Sequence, residues 1–129
     1  MNLIQNKKIL NLINTLIKDG LKDYLSSKNF KEDLKELNLL ELWTSIEDYI
    51  NNMSFLLFSF RGKGELSPDT FGVFIEKLYN EDKEKFLKIF IEIIKYFMKF
   101  KGKELSLDYI EKLLRPFGFS YQEIQNYLI

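Results

Sequence analysis

The chain has 129 residues, enough for one domain with one hydrophobic core, and 46% of them are hydrophobic and 16% aromatic, with twelve Phe and seven Tyr. Two Pro and six Gly are too few for a disordered chain or a turn-rich β fold. Cys and His are both absent and nineteen basic residues balance nineteen acidic ones, which excludes disulfides, thiolate metal sites and Ser–His or Cys–His catalysis, and sets the chain as a whole apart from basic nucleic-acid binders.

In chain order, Leu3, Ile4, Ile9, Leu10, Ile13, Leu16 and Ile17 recur near helical spacing, and Gly20 is a stop signal. Residues 21–37 are more polar and predict one or two short helices split near Ser26 and Ser27. A longer helix follows, with Leu39, Leu42, Trp43, Ile46, Ile50 and Met53 on one face, and its end, Phe55 to Phe60, is apolar nearly all round. The stretch "RGKGEL" reads as a loop, after which Ser67 and Pro68 open a helix, serine as cap and proline in the first turn. Asn80 is the expected cap of the next helix, whose first turn is acidic. Lys88, Glu92, Lys95 and Lys99 make one narrow polar stripe along it, while nearly everything else from Phe86 to Phe100 is apolar. Such a helix either lies centrally in a bundle or offers its second apolar face to a partner. Gly102 breaks it, Ser106 caps "LDYIEKLLRPF", and Pro116 with Gly118 close that helix. "SYQEIQNYLI" opens with a capping box, Ser120 and Glu123. The expectation is an all-α, single-domain bundle of six or seven helices over residues 1–129, with N-terminal helices to residue 60 and a helix–loop–helix pair from 61 to 129.

"GELSPDTF" and "KELSLDYI" share the pattern Glu-Leu-Ser-x-Asp, and each follows a Gly/Lys loop. Over about residues 55–129 the chain resembles a pair of EF-hands, with Gly64 at the sixth loop position and Leu66 at the eighth. The ligand positions depart from that family: Ser59, Arg61, Lys63 and Thr70 stand at positions one, three, five and twelve, where calcium requires hard oxygen donors. In the second loop Gly102 is one place early and Lys99, Lys101 and Lys103 crowd it, so the resemblance implies an adaptor that binds no calcium. The aromatic run ending in arginine, "FLLFSFR", and the later "EKFLKIFIEIIKYFMKFKGKE" are similar to parts of the small helical subunit of type III CRISPR effector complexes. That similarity implies contact of Arg61 and the lysines near residue 100 with RNA backbone phosphates; the neutral charge and the presence of only two arginines depart from it.

Read from the residues themselves, Arg61, Lys63, Lys99, Lys101 and Lys103 form an anion or nucleic-acid site if their loops lie side by side near the helix starts at Ser67 and Ser106. The alternative is that loop lysines only maintain solubility. A helix-turn-helix over residues 106–129 would present Gln122, Gln125 and Asn126 to bases, with no basic residue on that last helix. Asp69, Asp108, Glu65 and Glu104 are the acid–base candidates, but Asp69 and Asp108 sit where carboxylates stabilise helix starts. The sequence therefore points to a non-catalytic interaction module or small accessory subunit. Its expected partner is a protein or a second copy, met through Phe55, Phe58, Phe60, Ile91, Ile94 and Met98, with RNA as the other reading. No metal, cofactor, small-molecule substrate or membrane is expected. The early apolar run is broken by Lys7 and Lys8 and has no cleavage site, so a cytoplasmic location is expected.

Overall fold

The structure is a computed structural model that describes residues 4–57 and 67–128, without the side chains of 54–57 and 67. Its described residues form eight α-helices and no strand, the all-α class that the periodicity predicts. Two compact units divide the chain, Met1–Lys77 and Leu78–Ile129.

In the first unit, α1 (Lys7–Lys18) starts at Asn6, whose side-chain oxygen accepts the N–H groups of Lys8 and Ile9 at 2.8 and 3.3 Å. Ile9, Leu12, Ile13 and Leu16 form its buried stripe, and Gly20 follows its end. The polar segment splits where Ser26 and Ser27 stand, giving α2 (Leu21–Leu25) and α3 (Lys28–Glu36). Leu39 donates its N–H to Leu34 O at 2.8 Å and Asn38 to Lys35 O at 3.1 Å, which closes α3 on the left-handed residue Asn38. The next helix, α4 (Leu40–Leu57), buries Trp43, Ile46 and Ile50. The helix that begins at Ser67 is α5 (Ser67–Glu81), and its first part carries Phe71 and Phe74 to Trp43 at ring separations of 6.5 and 5.8 Å. Phe30 stands edge-on to Trp43 at 4.8 Å and to Tyr24 at 5.2 Å. Each such ring pair contributes about 0.5–1.5 kcal/mol beyond the area it buries. The Tyr24 hydroxyl, whose ring is buried, donates to Asp33 Oδ2 at 2.6 Å.

The N-terminal segment is fixed on α5 by two neighbouring positions. At Gly72 a Cβ would lie 2.3 Å from Ile4 Cδ1, so only glycine leaves room for the buried Ile4 side chain as it stands. One turn further, Glu76 Oε2 accepts the N–H groups of Gln5 and Asn6 at 2.9 and 2.7 Å. These are backbone donors ahead of α1 that no helical carbonyl can take.

In the second unit, α6 (Lys83–Phe100) is capped by Asp82, not by Asn80. Asp82 Oδ1 accepts from Glu84 and Lys85 at 3.0 and 3.3 Å, while α5 runs on through Asn80 to Glu81. Phe86 is fully buried and meets Tyr79, Phe90, Phe117 and Phe119 at 5.3, 5.6, 5.5 and 6.1 Å. The helix α7 (Leu107–Leu114) begins at Ser106, whose hydroxyl accepts the Tyr109 N–H at 3.1 Å, and tightens into a 3-10 turn over Arg115–Phe117 before Gly118. Ser120 and Glu123 complete the expected capping box of α8 (Tyr121–Asn126), with both bonds at 3.1 Å. No helix among the described residues is long and apolar enough to cross a membrane.

Candidate functional site

Of the five basic residues expected to gather, the structure places three. Lys99, Lys101 and Lys103 surround the end of α6, where Gly102 adopts a left-handed conformation. Lys103 donates its N–H to Met98 O at 2.9 Å and Gly102 to Lys99 O at 3.0 Å, the paired bonds of a Schellman turn. Lys99 and Lys103 are exposed; Lys101 is half-buried, with its ammonium 5.2 Å from the centre of the Phe97 ring. A helix C-terminus carries partial negative charge, so these cations stabilise the end of α6 by position alone. Arg61 and Lys63 lie outside the described residues, and so does any meeting of the two lysine-bearing loops.

The expected apolar partner surface is redrawn. Ile91 and Ile94 are completely buried and Met98 is 6% exposed, so these side chains belong to the interior rather than to a free face. The reason is the width of α6's apolar arc: Phe86, Phe90, Ile93 and Phe97 on one row and Leu87, Ile91, Ile94 and Met98 on the next are all covered by the chain itself. Periodicity identifies such a face but not whether its cover is internal. Phe55 lies on α4 with its side chain outside the described set, and Phe58 and Phe60 lie outside the described residues altogether.

The polar stripe of α6 does face water. Lys88 and Lys99 are exposed, and Glu92 and Lys95 are half-buried. Lys95 Nζ lies 3.1 Å from Glu92 Oε1 and donates to Tyr127 O at 3.4 Å, a partly exposed pair worth at most about 1 kcal/mol. On α8, which is six residues long, Gln122 Nε2 donates to Asn126 Oδ1 at 3.3 Å, so two of the three amides expected to face bases bond to each other, and the third, Gln125, is half-buried.

Two features stand out that the sequence patterns do not single out. The first is Tyr49, 58% exposed on α4, with Tyr121 at 53% on α8; among the described residues these are the large apolar side chains left mostly in solvent. The second is a segregation of charge. Over its length α4 holds Glu41, Glu47 and Asp48 and no basic residue, whereas Lys83–Lys103 holds seven lysines and two glutamates. Counting signs helix by helix would reveal it; the zero net charge conceals it.

The acid–base candidates remain dispersed. Asp69 sits at the third residue of α5 and is half-buried, Asp108 is exposed in the first turn of α7, Glu104 is exposed ahead of that helix, and Glu65 is outside the described residues. Among the described residues no three carboxylates come together in a way that could hold a metal ion. The one buried polar residue among them is Thr70, at the place corresponding to the twelfth position of the EF-hand-like loop. Compared with known proteins, the chain matches no protein-family model, no curated protein and no solved structure.

Proposed function

We propose that this chain is a non-catalytic, all-helical interaction module that meets a protein partner through the outward face of α4. The observation that carries this reading is the exposure of Tyr49 beside an uninterrupted acidic and polar face. Ser45 and Asn52 lie one turn to either side of it, Asp48 adjoins it, and Glu41 continues the face; all are exposed. Tyrosine supplies a large, rigid contact area together with a hydroxyl, and it is enriched where binding energy concentrates. The complementary partner is a surface with an apolar pocket rimmed by Lys or Arg.

The non-catalytic part of the reading rests on residue types and burial. The chain has neither His nor Cys. Among the described residues no Asp, Glu, Lys or Arg is buried as a whole; the half-buried Asp69 has one oxygen enclosed, in the first turn of α5, where a carboxylate stabilises the helix start.

Site-specific crosslinking tests the surface. A photoreactive phenylalanine in place of Tyr49 should yield one discrete adduct under native conditions, and the same probe in place of the exposed Lys31 on α3 should yield none. Equal labelling from both positions, or none from either, would count against α4 as the contact face.

A further inference from the structure

We infer that the water-facing side of α6 is a binding surface for single-stranded nucleic acid, engaged through its phosphates and unstacked bases. Lys85, Lys88, Lys95 and Lys99 fall in one row with Glu92, at spacings of three and four residues. At 1.5 Å per residue the row runs for about 21 Å, and Lys103 extends it past the Schellman turn. Lys85, Lys88, Lys99 and Lys103 are exposed; of the two carboxylates on this face, Glu92 is engaged by Lys95 at 3.1 Å, and the exposed Glu84 stands one turn before Lys88 in the first turn of the helix.

Beside the lysines runs a second row, Ile89, Tyr96 and Phe100, each half-buried. Its aromatic members are one turn apart. Non-specific single-strand binding uses a line of cations flanked by aromatic side chains: the charges follow the backbone, and the aromatic side chains stack with bases. A surface that merely keeps a protein in solution mixes its signs. The exposed residues of α3 do so, with Lys28, Lys31 and Lys35 interspersed with Glu32 and Glu36. Duplex DNA or RNA would engage the lysines but leave the aromatic row unused, since its bases are already stacked.

Fluorescence anisotropy of the full chain with a labelled, mixed-sequence 15-nucleotide single-stranded RNA tests this surface. With three or four phosphates neutralised, log K should fall with log salt at a slope of about −2 to −3. A Lys85→Ala, Lys88→Ala, Lys99→Ala variant with unchanged circular dichroism should bind at least about tenfold more weakly and show a shallower slope. A Tyr96→Leu, Phe100→Leu variant, which retains apolar bulk, should lose about fivefold or more with the slope unchanged. Tyr49→Ala should bind RNA as the wild type does, so this surface and that of α4 fail or stand separately. Absence of binding at 50 mM salt would overturn the inference. So would full affinity in the triple lysine variant, equal affinity for duplex, or competition by polyglutamate as effective as that of RNA at equal charge.

Discussion

Glu76 Oε2 on α5 stands 2.7 Å from the backbone nitrogen of Asn6, the residue that caps α1, across a separation of 70 residues. The same oxygen takes the Gln5 N–H, so one carboxylate fixes the entry of the chain into its first helix. Hydrogen bonds to charged groups contribute about 1.5–3 kcal/mol where they are sheltered. Glu76 is half-buried, so Glu76→Ala should lower stability by about 1–2 kcal/mol, and Glu76→Gln, which keeps an acceptor, by less. Urea denaturation reads both; an unchanged midpoint for Glu76→Ala would contradict the clasp.

Gly72 and Ile4 should be energetically coupled. A methyl at position 72 would meet Ile4 Cδ1 at 2.3 Å and Cγ1 at 3.0 Å. Alanine in a helix is otherwise favoured over glycine by up to about 1 kcal/mol. Gly72→Ala should therefore stabilise a chain that already carries Ile4→Ala and lose that gain in the wild type. The double-mutant cycle should give a coupling of about 0.5–3 kcal/mol. Additive effects would mean that Ile4 does not occupy the notch.

The break between α5 and α6 assigns capping to Asp82. Asp82→Ala should cost about 0.5–2 kcal/mol, and Asn80→Ala, an exposed position within α5, no more than about 0.5 kcal/mol. Thermal unfolding of the two variants separates them, and the reverse order would restore Asn80 as the cap.

Phe86 and Ile94 are interior residues of α6. Phe86→Ala removes a ring that touches four others and should cost about 3–5 kcal/mol, and Ile94→Ala about 2–5 kcal/mol. Were Ile94 on a free partner surface, its truncation would leave the stability of the isolated chain nearly unchanged.

These variants also mark how far the sequence can be read. Local signals locate most boundaries: the capping box at Ser120 and Glu123, the cap at Ser106, and the split at Ser26 and Ser27 all fall where local hydrogen-bonding chemistry puts them. Asn80 misleads because Asn80, Glu81 and Asp82 form a run in which two residues are competent caps, and only the continuation of α5 chooses between them. Glu76 carries no local signal, since its partners are backbone groups 70 and 71 residues away. Ile91 and Ile94 show the other limit. An apolar stripe reveals amphipathicity, yet whether this chain or another covers it depends on tertiary packing.

The most direct test of the interaction reading is the native mass of the assembly that contains this chain, recovered from its own cell, for the wild type and for an Asp48→Lys, Tyr49→Ala variant of equal helicity. The wild type should travel with a protein partner, and the variant should run as a lone monomer. A wild type that is itself a lone monomer, or a variant that keeps the full assembly, would contradict the assignment of α4 as the contact surface.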